Sequence, residues 1–201
     1  MLARTLCFAL QGVEGQPVHV ETDVSSGLNT FTIVGLPDAA VRESRDRVTG
    51  ALRNSGFAMP AGRVTVNLSP ADLRKEGAAF DLPIAVSIIA ASRQAAMPAL
   101  PRTLLLGELS LDGSLCPVRG ALSMVIAACQ RGVESVILPA ENGAEVQSLT
   151  GMLIYPARSL AEAVGHLSGK IPLSAQVQTA YDDCLSQSVP ALDLALVRGQ
   201  Q

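Results

Sequence analysis

Hydrophobic and polar positions alternate with a period of two along residues 18–24. Val18, Val20, Thr22 and Val24 fall on one side, and His19, Glu21 and Asp23 on the other. That is the pattern of a strand with one buried face. Glu14-Gly15 and Ser26-Gly27 supply turns around it, so the first 36 residues read as β structure, with His19 solvated. From Pro37 and Asp38 the period becomes helical. Val41, Ser44, Val48, Ala51, Leu52 and Ser55 form one stripe at the spacing of an α-helix, and Gly56 suits the position just past its end. Residues 64–68 predict another strand. After a charged turn at 72–77, a second helix is expected over 79–93, with Pro83 at or near its first turn, where a missing N–H costs little.

Residues 104–111, an Asp112-Gly113 turn and residues 114–118 predict a β-hairpin. A helix over 121–131 stopped by Gly132, a buried strand at 135–138, a short acidic helix around 141–149 and a strand at 152–155 come next. Ser159 and Glu162 read as the capping box of a last helix ending near Gly169. Residues 170–201 carry two prolines, scattered polar positions and no period, which predicts a linker. No internal repeat is present. The pattern predicts an α+β domain, an α/β arrangement on a mixed sheet, over residues 1–169.

Composition narrows the function. Of 201 residues 48% are hydrophobic and 16% charged, which is globular and not disordered. Aromatic residues make up 3% and there is no Trp, so Ala, Val, Leu and Ile must build the core, with little aromatic surface for stacking on bases. Cys7, Cys116, Cys129 and Cys184 are scattered without a CxxC pair, and His19 and His166 lie far apart; no metal site is read, and free thiols in a reducing cytoplasm fit better. No cleavage site follows the short apolar N-terminus. The apolar run 84–91, interrupted by Ser87, is too short to cross a bilayer, and Ser87 itself reads as core. A soluble cytoplasmic protein with no membrane partner is expected.

The net charge of −3 argues against a wholly basic nucleic-acid binder, yet it hides an asymmetry. Residues 42–75 hold seven basic and three acidic side chains, a local charge of +4. Arg42, Arg45 and Arg53 cluster on one side of the first helix, and Arg63, Arg74 and Lys75 extend the candidate DNA-binding set. Such a ridge would hold phosphates without reading bases. The competing reading is a salt-bridged solvent face: Glu43 and Arg47 are an i,i+4 pair in the favourable order, and Arg42 can reach Asp46.

Three segments carry a family resemblance: residues 33–48 (IVGLPDAAVRESRDRV), 67–85 (NLSPADLRKEGAAFDLPIA) and 106–113 (LGELSLDG), the last continuing to Gly120. In this order they resemble the N-terminal domain of the ComM/YifB family of AAA+ ATPases, often labelled magnesium-chelatase-like, across nearly all of residues 1–169. They are similar, more distantly, to the proteolytic domain of Lon and the C-terminal domain of RadA. The resemblance implies a Lon-like fold of the ribosomal-protein-S5-domain-2-like type. An AAA+ module follows in that family, and residues 192–200 resemble the lead-in to it.

No GxxxxGK[ST] phosphate loop occurs in the sequence, so ATP and Mg²⁺ are expected in the AAA+ module and no cofactor here. A Lon-type peptidase needs a serine activated by a desolvated lysine. The resemblance puts Ala79 at the serine position, after the Lys75-Glu76-Gly77 turn, and Leu122 at the lysine position. Neither supplies the chemistry, and a relocated dyad would have to use Lys75 or Lys170, the two lysines of the chain. The expectation is a non-catalytic module. What the resemblance implies for the whole protein is an ATP-driven DNA helicase promoting branch migration in natural transformation, assembled as a hexamer. This domain would contribute DNA contact and ring assembly, or form a purely structural collar without DNA contact.

Overall fold

A long hairpin starts the chain in the computed structural model, which describes residues 1–179. Strand β1 (Leu2–Gln11) runs antiparallel to β2 (Glu14–Ser25), with Leu2 opposite Asp23 and Gln11 opposite Glu14. Strand β3 (Thr30–Val34), helix α1 (Ala39–Asn54), β4 (Arg63–Ser69), helix α2 (Asp81–Ala91) and β5 (Thr103–Leu105) follow. A two-stranded ribbon, β6 (Glu108–Leu109) and β7 (Leu115–Cys116), precedes α3 (Ala121–Gln130), β8 (Ser135–Pro139), α4 (Gly143–Val146), β9 (Leu153–Ala157) and α5 (Leu160–Leu167). The main sheet has the order β3-β4-β2-β1-β5-β8-β9. The pairs β1–β2 and β2–β4 are antiparallel and the other four are parallel. This is the expected mixed α/β class.

The two faces of the sheet follow from strand alternation. Cys7 and Val18 sit opposite each other in β1 and β2, and Cys7 reaches toward Ala79 at the approach to α2. Phe8 and Gly15 belong to the other face, where Arg131 just past α3 lies over the Phe8 ring at 5.7 Å. Helix α2 is apolar almost all round and buried from Asp81 to Ile89, as befits a helix enclosed by sheet and α1. Within it, Ser87 donates to the Ile84 carbonyl at 2.8 Å and meets the Thr22 hydroxyl at 2.5 Å, so this serine belongs to the core.

Helix α1 begins where the pattern placed it. Asp38 accepts from the Val41 N–H at 2.8 Å, which satisfies one of the open donors of the first turn. Its buried stripe is Val41, Ser44, Val48, Ala51 and Leu52. Ser159 caps α5 by accepting from the Glu162 N–H at 3.2 Å. The Glu162 carboxylate closes on the N–H of Arg158 at 2.7 Å instead of that of Ser159, so the capping box is shifted by one residue.

Other expectations need correction. Residues 104–111 are not one hairpin strand. The chain leaves the sheet after Leu105, and the Gly107 N–H turns to the Ala79 carbonyl at 3.1 Å. A Cβ on Gly107 would collide with the Leu115 side chain, so the break sits where a glycine lets two layers touch. The second helix starts as a 3-10 turn at Ala78–Phe80 and its α-helical part ends at Ala91; Arg93 adopts a left-handed φ of 58°. The acidic helix shrinks to a 3-10 turn at Ala140–Asn142 and the single turn of α4, because the Asn142 amide is spent on both backbone groups of Val118.

The first residues of the expected linker pack on the domain. Ile171 N–H donates to Gly165 O at 3.1 Å, and Gln176 N–H to Ile154 O of the edge strand β9 at 2.8 Å. The stretch 180–201, including 192–200, lies outside the described residues, as does Cys184. Cys7, Cys116 and Cys129 are free thiols, and burial pushes the Cys7 thiol far above its ordinary value. No helix among the described residues is long and apolar enough to cross a membrane.

Candidate functional site

Helix α1 distributes its arginines to two environments. Arg42, Arg45 and Arg53 are exposed. Arg42 donates to the Pro37 carbonyl at 3.2 Å, and Arg45 stands 3.7 Å from Asp46, so the sequence-predicted Arg42–Asp46 pair is replaced by Arg45–Asp46. Arg45 and Asp46 border a shallow hollow with Asn29, Met59 and Gly62, which brings the start of β4 and its exposed Arg63 near this face. Arg74 is exposed and pairs with Glu76 at 3.0 Å.

Lys75 does not belong with them. Its side chain is fully buried, and its ammonium donates to the Pro70 carbonyl inside the same loop. Burial pushes the ammonium below its ordinary value, with Asp72 opposing the shift. The loop is held against residues 36–38: Lys75 N–H donates to Leu36 O at 3.3 Å and Asp38 N–H to Lys75 O at 3.0 Å. A lysine sealed in this way presents no charge to a phosphate, so it leaves the candidate DNA-binding set.

Arg47 points inward, against the expectation that Glu43 is its main partner. Its Nε lies 2.6 Å from Asp81 Oδ2 and its Nη2 3.1 Å from Oδ1, while Glu43 is 3.9 Å away. Asp81 is completely buried, at the start of α2. It also accepts from the Ser44 hydroxyl and from the Leu109 N–H, the latter at 3.2 Å. The carboxylate thus ties α1, α2 and the β6–β7 ribbon together, and its hydrogen bonds hold the Arg47 guanidinium above its ordinary value. Sequence reading missed Asp81; an acidic residue inside the apolar run 80–86 was the available signal.

The position expected for a nucleophile is occupied by Ala79, at the wall of a hollow of about 520 Å³. Phe8 to Leu10, Gly77 to Ala79, Val118, Arg119 and Met124 line it, with the carboxylates Asp38, Glu76 and Glu108. No serine, threonine, cysteine, lysine or histidine of the described residues is in that lining. Leu122 is not in the lining either; it starts α3 with its N–H donating to Glu145 at 3.1 Å. No group of acidic, histidine and cysteine side chains among the described residues is arranged to hold a metal ion.

Residues 20–142, more than half of the chain, match the family described as subunit ChlI of Mg-chelatase. The chain belongs to this family. Among its curated relatives, the ChlI-type chain is 42% identical over 199 residues to an uncharacterized protein of Mycobacterium tuberculosis, covering 99% of this chain and 39% of that protein. It is 40% identical over 193 residues to the protein YifB of Escherichia coli (96% and 37% covered) and 39% identical over 194 residues to the competence protein ComM of Haemophilus influenzae (96% and 38%). It is thus a ComM-like member of the ChlI family, and it spans about two fifths of the length of these relatives. A more distant likeness, 25% over 162 residues, connects 75% of the chain to 20% of Lon protease 1 of Sorangium cellulosum. This is the comparison in which Ala79 and Leu122 acquire their meaning.

Proposed function

We propose that this ChlI-type chain is a non-catalytic module of a ComM-like AAA+ DNA helicase, in which it contacts DNA phosphates and helps assemble a hexamer. The whole protein would use ATP and Mg²⁺ bound in an AAA+ module, reached through the segment after residue 170, to drive branch migration during natural transformation in the cytoplasm. The observation that supports the reading is the outward placement of Arg42, Arg45 and Arg53 on α1, with Arg63 nearby and Arg47 withdrawn into the domain. Exposed guanidiniums without a buried partner suit phosphate contacts that hold a duplex without reading its sequence. The name of the Haemophilus influenzae relative, a competence protein, points the same way.

Fluorescence polarisation with duplex and forked DNA tests the proposal. The 201-residue chain should bind at low salt, and losing three phosphate contacts in Arg42→Glu/Arg45→Glu/Arg53→Glu should flatten the salt dependence by a slope of about 3. Binding that is absent at low salt, or unchanged by the reversal, would reject DNA contact through α1. The collar reading would then stand alone, and light scattering on the ATP-bound parent protein would decide it, since a strict monomer excludes it.

A further inference from the structure

The hollow at Ala79 retains two features of a peptide-binding cleft. The first is an open strand edge. Strand β1 extends to Gln11, but its parallel neighbour β5 meets it only at Leu6 opposite Leu104. Beyond that point the chain turns off through Leu106 and Gly107, so residues 8–10 have β2 on one side and no strand partner on the other. Those three residues line the hollow. An unpaired edge presents alternating N–H and C=O groups that an extended chain can satisfy.

The second feature is charge. Of the carboxylates in the lining, Asp38 is committed to the N–H groups of Val41 and Gly77, and Glu76 to Arg74. Glu108, half-buried, has no hydrogen bond or ion pair of its own among the described residues. The wall around it is small and apolar: Ala9, Ala78, Ala79 and Val118. The volume of about 520 Å³ falls within the usual range for a ligand site. With three carboxylates against Arg119, the lining is net acidic.

We infer that this cleft binds an extended segment of another protein by strand addition to residues 8–10 of β1, seating a lysine or arginine of that segment on Glu108. The segment carries small or β-branched residues on either side of the basic one, because the walls leave room for little more. Ala79 and its neighbours make the site a receptor with no group to cleave what it holds. The inference is independent of DNA contact by α1.

The test uses the 201-residue chain and a fluorescent, end-blocked pentapeptide, Ala-Val-Arg-Val-Ala, read by anisotropy and by amide chemical shifts. Binding should shift the resonances of Phe8, Ala9, Leu10 and Ala78. Replacing the arginine of the probe by norleucine, or introducing Glu108→Gln, should each weaken binding about tenfold, the cost of one charge-assisted contact. N-methylation of alternate peptide amides, which leaves the protein untouched, should weaken it at least as much by removing main-chain hydrogen bonds. Overturning results are shifts that avoid residues 8–10, affinity indifferent to N-methylation, or a DNA oligonucleotide that perturbs the cleft while the peptide does not.

Discussion

On the inner side of α1, Arg47 closes on a carboxylate that water never reaches; on the outer side, Arg42, Arg45 and Arg53 stay in solvent. The side chain of Arg47 is 21% exposed and that of its partner Asp81 0%, whereas Arg45 and Asp46 are 56% and 82% exposed. The chemistry is the same and the energetics are not. A solvated pair contributes between zero and about 1 kcal/mol, while removing one member of a buried pair costs about 3–5 kcal/mol because the other is left unpaired. A count of charges along the helix treats all four arginines alike. The fold turns one into a structural tie and leaves three free for a ligand.

The largest effect expected on this contrast is that of Asp81→Ala. It strips Arg47, Ser44 and the Leu109 N–H of their common acceptor, and should lower stability by about 3–5 kcal/mol in urea denaturation. A loss below about 1 kcal/mol would erase the distinction between the two sides of α1. The double change Arg47→Met/Asp81→Leu sharpens it: with both charges gone and volume kept, most of that loss should be recovered. Next in size is the buried hydroxyl pair. Ser87→Ala leaves the Thr22 hydroxyl short of its partner at a cost of about 1–3 kcal/mol, and adding Thr22→Val should return part of it, as a double-mutant cycle would read. On the outer side, Arg42→Ala, Arg45→Ala and Arg53→Ala should each stay within about 0.5 kcal/mol of the parent in the same measurement.

The smallest effect concerns a polar group whose fate is also decided by its partner. His166 packs on Tyr155 with ring centroids 4.1 Å apart, and its Nδ1 accepts the Leu173 N–H at 3.0 Å. Burial lowers the affinity of the imidazole for a proton below its ordinary value of 6.5. The unfolded chain therefore takes up the proton first, so the contribution of this contact is intact above pH 6.5 and is lost as the pH falls through the lower folded value. Protonated Nδ1 cannot accept from Leu173. Amide exchange at Leu173 and Gln176, corrected for intrinsic rates, should accelerate selectively between pH 7 and pH 5; uniform protection across that range would contradict the assignment.

The alternation of residues 18–24 and the stripe from Val41 to Leu52 were legible because burial on one face leaves a periodic trace whatever the partner is. The Asp38 cap was legible for a similar reason, since it acts within one turn. Gly107 was harder. It reads as part of a hairpin arm until Leu82 and Leu115 are seen to need the space a side chain would fill. For the candidate site, the outward positions of Arg42, Arg45 and Arg53 came from helical periodicity alone. The burial of Lys75 and the Arg47–Asp81 tie did not, because each depends on a group distant in sequence or on a loop folded over it.

The sequence by itself determined the mixed α/β class, the faces of its long elements and the family blocks that hold Ala79 where a nucleophile would stand. These rest on local periodicity and on the order of motifs along one chain. Tertiary structure alone decided which charges are free, because desolvation is set by neighbours the chain reaches only after folding. It also decided that β5 ends early enough to leave residues 8–10 of β1 without a strand partner on that side. Strand length is a property of how neighbouring strands end against each other, and no pattern within β1 records it.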